Sequence, residues 1–445
     1  MVVILSDRKF SKILLILLSV LILLVIFYAK YSSKSTIGYD RYHVYIPAVL
    51  NSSNTISGQL TEFDLYVTPG TGQVYATIPP IFYGNYNLAY LYAKEAACTL
   101  YPDECNNYNY YFSSNDVVYA EGFSGTAGLT LLVIEAIKNQ KPVVEYPVTG
   151  FILPNGLIAS VSGIKYKLDA ALSSFNYMVA PYEGDPHIIP AYTILDLEKI
   201  YFNTTYEIKF DVPDVYVKTM KEIAEDICKG VNNSKVDAYM SRKYYYAAAS
   251  FCFGEKSKNP VYKPNISKEE LQNKINSLYN DVTNYRCFEN YQCEEIKYQV
   301  LSRLKDANSS INNMQYSYWR YYSALGWYKL LEISKSINRI DTCATIDSHY
   351  KLLQYTYQYE LPTNLSCFQK RDYLSEIFFI FLDNDTNYMN MNAVRSIEQL
   401  NYYYYSKYGF SITSYNDLEL GKALVESNST LEGFYYLLLS IQYAI

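Results

Sequence analysis

The chain has 445 residues, half of them apolar, and a formal net charge of −6. That length suits two domains with sizeable cores, the apolar fraction excludes a disordered chain, and the acidic balance leaves nucleic acid no basic surface to bind. Charged residues make up only 18 %, below the roughly 25 % of ordinary soluble domains. The 53 tyrosines, with many Asn and Ser, take their place, a neutral polar composition that fits a secreted or surface protein.

In chain order, Arg8, Lys9 and Lys12 precede an unbroken apolar run over 13–29. At about 1.5 Å per residue the run is roughly 26 Å long, near the lower limit for crossing a bilayer core. A cleaved signal peptide is the competing reading, but its apolar region is about 7–15 residues long and ends in a small-x-small site. Phe27-Tyr28-Ala29 is a poor match to such a site. The expectation is therefore an uncleaved transmembrane helix over 13–29. Basic residues do not orient it, because Lys30, Lys34 and Arg41 balance the three in front. Eight Asn-x-Ser/Thr sequons begin at Asn51, Asn203, Asn232, Asn265, Asn308, Asn364, Asn384 and Asn428. All eight cysteines follow the run as close neighbours, namely Cys98/Cys105, Cys228/Cys252, Cys287/Cys293 and Cys343/Cys367. With no CxxC and three His, a zinc site is not expected, and no other metal or cofactor is implied. An even count beyond an anchor reads as disulfides in an oxidising compartment, with neighbour pairing the simplest of several connectivities. The expectation is a single-pass protein of the cell membrane whose chain after Ala29 faces outward.

Residues 31–40 read as a linker. From 42 to 230 short β-rich runs alternate with helical stretches. Strands are expected at His43–Val49, Phe63–Val67, Val74–Ile78, 116–119, Val148–Leu153, Leu157–Val161 and Tyr177–Ala180; helices are expected at Tyr86–Leu100, Gly125–Lys138 and Lys165–Ser174. This is the pattern of an α/β domain. Over 232–445 helical periodicity takes over. Ser267-x-x-Glu270 forms a capping box, aromatic stripes over Gln315–Ser334 and Tyr373–Leu382 mark core-facing helices, and the last eleven residues form a packed helix. The equal spacings of Cys228/Cys252 and Cys343/Cys367 predict two stapled helical hairpins.

Two segments carry chemistry: Glu121-Gly-Phe-Ser-Gly-Thr-Ala-Gly128, and Thr149-Gly-Phe-Ile-Leu-Pro-Asn-Gly156 continuing into Ser162-Gly-Ile-Lys-Tyr-Lys-Leu-Asp-Ala-Ala171. Ser124 lies between glycines where a strand gives way to a helix, so its hydroxyl is exposed beside backbone N–H groups able to hold an oxyanion. Thr126 breaks the G-x-S-x-G elbow and no histidine has a suitable context, which excludes a Ser–His–Asp triad. A lysine can act as base instead when burial keeps it neutral, and Lys167 sits early in a helix among Leu168, Ala170 and Ala171. On these residues alone, a structural turn and a solvated helix face explain the same pattern.

Together the segments resemble the proteolytic domain of Lon proteases, whose motifs run [DE]-G-x-S-A, T-G-x-[IL]-x-x-x-G and G-G-[IVL]-x-x-K-x-x-A-A. Ser124 falls on the nucleophile and Lys167, 43 residues later, on the dyad lysine. Thr149 falls on the threonine that hydrogen-bonds that lysine, Glu121 on the acidic position, and Gly122, Gly150, Gly156 and Gly163 on glycines of the motifs. The resemblance covers about 42–230, from Val67-Thr-Pro-Gly-Thr-Gly through Tyr177-Met-Val-Ala-Pro to Tyr206-Glu-Ile-Lys-Phe and Thr219-Met-Lys-Glu-Ile. It departs from the pattern at Phe123, Gly125, Phe151 and Ser162, and Pro142 stands one place late. The resemblance implies a Lon-type α/β proteolytic domain at 42–230, an all-α domain at 232–445, and a Ser–Lys endopeptidase acting on peptides or unfolded segments. It also implies a homo-oligomer, since Lon-type domains often form rings. No G-x-x-x-x-G-K-[ST] occurs, so the activity would be independent of ATP. The alternative is an inactive surface binding or scaffold protein built on the same fold.

Overall fold

Tyr42, Val44 and Ile46 alternate inward along β1 (Arg41–Ser52), the period of two that a half-buried strand requires. In the computed structural model, which describes residues 41–52, 55–77, 86–114, 122–206, 208–356, 361–381 and 390–445, β1 forms an antiparallel hairpin with β2 (Thr55–Pro69). The register sets Val44 opposite Phe63 and Ile46 opposite Thr61, so both strands bury one common face. The expected anchor at 13–29, the expected strand at 116–119 and Glu121 lie outside the described residues. Among the described residues no helix is long and apolar enough to cross a membrane.

The sheet continues with β4 (Tyr108–Ser114), antiparallel to β2, and β3 (Val74–Thr77), parallel to β4. Strand β4 is an addition to the expected elements; Tyr110 and Phe112 point into the core while Tyr111 faces out. Helices α1 (Tyr86–Leu100) and α3 (Thr126–Lys138) pack together on the buried side, with the short α2 (Pro102–Cys105) between α1 and β4. Helix α3 is buried continuously from Thr126 to Ala136, as a helix enclosed on all sides must be.

The remaining strands are short: β5 (Phe151–Ile152) with β6 (Ile158–Ala159) antiparallel, and β7 (Met178–Ala180) with β8 (Ile188–Pro190) parallel. The strand pair expected at Val148–Leu153 and Leu157–Val161 is thus reduced to two residues a side. Its first half is used otherwise: the Val148 N–H donates to the Tyr45 carbonyl, that of Thr149 to Val179, and that of Gly150 to Ser124. Helices α4 (Ile164–Leu172) and α5 (Ile194–Phe202) complete this mixed α/β part.

Eleven further helices follow among the described residues: α6 (Asp214–Cys228), α7 (Ser234–Ser241), α8 (Tyr245–Lys258), α9 (Lys268–Asn284), α10 (Tyr291–Ser309), α11 (Met314–Ser334), α12 (Cys343–Thr356), α13 (Cys367–Phe381), α14 (Met391–Tyr408), α15 (Ile412–Glu426) and α16 (Thr430–Ala444). Ser267 caps α9 by accepting the Glu270 N–H at 3.1 Å, which is the N-cap half of the expected box; the Glu270 carboxylate meets Lys274 instead of the Ser267 N–H. One continuous core joins these helices to the α/β part. Tyrosine hydroxyls seal the junction, because the side chain brings apolar mass and a polar tip together. Tyr404 donates to the Asn155 carbonyl at 2.9 Å, Tyr408 to that of Thr99 at 3.2 Å, and Tyr92 meets Thr356 at 2.9 Å.

The cysteines pair as neighbours: Cys98–Cys105, Cys228–Cys252, Cys287–Cys293 and Cys343–Cys367. The third bridge joins the turn after α9 to α10, and the fourth ties α12 to α13. The second spans three helices instead of the expected two, since α7 lies between its ends. The six sequon asparagines whose side chains are described, Asn203, Asn232, Asn265, Asn308, Asn364 and Asn428, are all exposed. Unfolding the protein in iodoacetamide without reductant should leave its eight cysteines unalkylated, and peptide mapping should recover these four cross-links. Alkylation of any cysteine, or another pairing, contradicts the fold.

Candidate active site

Helix α4 lies against the β1–β2 hairpin because two glycines let it approach. A Cβ on Gly58 would stand 1.9 Å from the Tyr166 carbonyl oxygen, closer than any side chain tolerates. Gly163 starts α4 at φ +71° and, with a side chain, would strike Val49. In this seating Lys167, Leu168 and Ala171 face inward while Lys165, Tyr166 and Asp169 face solvent. Of the two lysines in the motif, Lys167 is therefore the buried one, 2 % exposed.

Ser124 lies in the turn from Gly122, at φ +90°, to Gly125, which precedes α3. The Ser124 carbonyl is fixed from two sides, accepting the Gly150 N–H at 2.8 Å and the Thr149 hydroxyl at 3.0 Å. Thr126 holds the same joint: its hydroxyl donates to the Phe123 carbonyl at 2.8 Å and accepts the Ile152 N–H at 2.8 Å. The serine is thus tied to the segment carrying Thr149 and Gly150 through backbone atoms.

Lys167 Nζ donates to Thr149 Oγ1 at 3.3 Å, its sole hydrogen bond among the described residues. Burial pushes the lysine pKa down to about 8 from its usual 10.5, and no carboxylate among the described residues pairs with it. Lys167 and Ser124 line one cleft of about 90 Å³ together with Gly122, Gly125, Ser162 and Thr61. Lys167 and Ser124 face the same space without a direct hydrogen bond, and in unliganded sites such a contact often closes only around a ligand. The Ser124 and Gly125 N–H groups donate to no acceptor among the described residues, and they stand at the start of α3, where the helix dipole favours negative charge.

The residues singled out in the sequence thus come together: Ser124, Lys167 and Gly122 line the cleft, and Thr149 and Gly150 support it from behind. Phe123 and Phe151 stack on each other with ring centroids 5.0 Å apart, and Tyr92 packs against both, so these two departures form one aromatic cluster beside Ser124. Thr61 was not legible as a site residue; it is 2 % exposed and its hydroxyl lacks a hydrogen-bond partner among the described residues, but only the strand register brings it to the cleft. None of the three histidines lines this space. His349 is buried against Thr99, with its pKa pushed down to about 4 by burial, and His187 pairs with Asp185. Comparison with protein-family models gives no match, and comparison with curated proteins gives none either.

The buried lysine has a thermodynamic consequence. With a folded pKa of about 8 and an ordinary 10.5, the unfolded chain binds the extra proton between those values, so stability rises with pH across that window. Lys167→Met should be more stable than the wild type by the order of 3 kcal/mol below pH 8, an advantage that vanishes above pH 10.5. Denaturant titrations at several pH values check this; an unchanged or lower stability of the variant at neutral pH contradicts the burial of the ammonium.

Proposed function

We propose that the chain is an ATP-independent serine endopeptidase with a Ser124–Lys167 dyad, acting on peptides or unfolded protein segments. The observation that carries this reading is a buried lysine with a depressed pKa opening onto the same cleft as a serine at a helix start. Neutral Lys167 takes the proton of Ser124 Oγ as the oxygen attacks the scissile carbonyl carbon. The Ser124 and Gly125 N–H groups meet the oxyanion. Lys167, now an ammonium, gives its proton to the leaving amine and the acyl ester remains on Ser124. Water then attacks the ester with Lys167 again as base, releasing the second product and the free serine. Thr149 keeps the amine oriented throughout. Four disulfides and exposed sequons support an oxidising, extracytoplasmic location, with the 13–29 run as membrane anchor and a homo-oligomer as the form implied by the Lon resemblance.

The competing proposal is a binding or scaffold protein on the same fold, and activity separates the two. The protein with its disulfides intact should cleave reduced, alkylated casein without ATP. Ser124→Ala and Lys167→Met should each lose at least about 1,000-fold in kcat/KM, a scale set by groups that act as one unit. The rate should rise with pH to a plateau, with its midpoint near 8, because only the neutral amine accepts the proton. Equal cleavage by all three proteins, or a rate that falls as pH rises from 6 to 8, overturns the dyad.

A further inference from the structure

The helical part encloses a second cavity, of about 370 Å³, at the small end of the roughly 300–1,000 Å³ of ligand sites. Its lining is a mixture of apolar and charged groups, and the charged groups divide into satisfied and unsatisfied pairs. Asp372 accepts the hydroxyls of Tyr298 at 2.7 Å and Tyr443 at 2.5 Å, and Arg320 pairs with Asp306 at 2.6 Å. Those two charges are already answered by the protein.

Arg303 on α10 and Asp417 on α15 are answered only in part. The Arg303 guanidinium lies over Trp327, 3.9 Å from the ring centroid; one amino group donates to Gln299 and the other to the Tyr246 hydroxyl at 3.5 Å. Its buried Nε finds no partner among the described residues. Asp417 is only 8 % exposed, yet no hydrogen bond reaches its carboxylate from the described residues. One turn earlier on the same helix, Thr413 is 3 % exposed and its hydroxyl finds no partner among the described residues. All three side chains line the cavity. Arg303 and Asp417 bring a guanidinium and a carboxyl group into one space without forming an ion pair, and burial raises the Asp417 pKa well above the usual carboxylate range, so the cavity by itself disfavours its charged form.

Leaving buried polar groups unmatched is destabilising, and more so when they are charged. Folded proteins keep few of them, and those few call for a physical reason. The Arg303 Nε and the Asp417 carboxyl, both on the cavity wall, are complementary to a molecule bearing both charges, whose cation would favour the ionised carboxyl. A purely anionic ligand would leave Asp417 unmatched or repelled, and a purely cationic one would face Arg303. The aromatic walls of Tyr435 and Tyr436 supply apolar area for the rest of the molecule.

We propose that this cavity binds a small zwitterion, an amino acid or dipeptide, with its carboxylate on Arg303 and its ammonium on Asp417. The proposal is independent of the peptidase reading, because it rests on other residues. The full chain carrying Ser124→Ala, so that no hydrolysis consumes the probe, is titrated calorimetrically with alanyl-phenylalanine, its N-acetyl derivative and its C-terminal amide. The free dipeptide should bind about tenfold or more tighter than either capped form. Asp417→Asn should erase the difference between free and N-acetylated dipeptide, and Arg303→Met the difference between free acid and amide. Near-UV circular dichroism identifies the variants that keep their packing; if either charge variant loses it, the capped ligands on the parent chain decide alone. No binding of the free dipeptide or of phenylalanine at about 10 mM to the folded parent, or equal affinity for capped and free forms, overturns the proposal.

Discussion

A lysine side chain held inside the protein with one neutral oxygen as its partner among the described residues is the constraint on which the candidate site depends. Lys167 reaches that position only because α4 lies flush against the β1–β2 hairpin, which Gly58 and Gly163 permit. Its single acceptor, Thr149, is in turn set by backbone bonds to Val179 and by its own bond to the Ser124 carbonyl. The turn carrying Ser124, the threonine and the lysine are therefore coupled through a short chain of hydrogen bonds. Desolvation opposes the ammonium form and lowers the amine pKa to about 8, so that a fraction of it is neutral at physiological pH, the property the proposed general base needs.

Elsewhere the molecule matches its buried charges more fully. The carboxylate of Glu198, fully buried, receives Lys138 Nζ at 2.9 Å together with the hydroxyls of Tyr101 and Tyr206. Arg339 pairs with Glu295 and also holds the carbonyls of Tyr443 and Ile445, while Arg371 donates to the Gln442 carbonyl at 3.0 Å. Two arginines thus clamp the end of α16 against the bundle. Lys167, Arg303 and Asp417 lack an ion-pair partner among the described residues, as does Glu135, and each lines a cavity. The abundance of tyrosine has a physical use here: in a chain poor in charge, phenolic hydroxyls satisfy carbonyls at the junctions between elements that ion pairs would otherwise have to fill.

Local pattern carried much of the fold and of the site. Alternation in β1 and β2, the apolar run of α3 and the serine between glycines were readable without long-range information. So was the choice of Lys167 over Lys165, because small and apolar neighbours followed it. The brevity of β5 was not readable, since the hydrogen bonds that Thr149 and Gly150 make belong to Val179 and Ser124, partners distant in sequence. Strand β4 was missed because its Tyr-Asn alternation looks like a polar turn until Tyr110 and Phe112 find α1 and β2. Thr61 and the Arg303–Asp417 cavity arise from register and helix packing, and no motif announces them.

The proposed dyad requires Ser124 to be a nucleophile activated by a neutral Lys167. The most direct measurement is the intact mass of the disulfide-bonded protein after exposure to a biotinylated fluorophosphonate, followed by peptide mapping, between pH 6 and 9. One adduct per chain is expected, on Ser124, forming faster as pH rises towards 8 and abolished by Lys167→Met in a folded protein. A folded wild type that forms no adduct, an adduct on another residue, or equal labelling of the Lys167→Met variant would contradict the dyad.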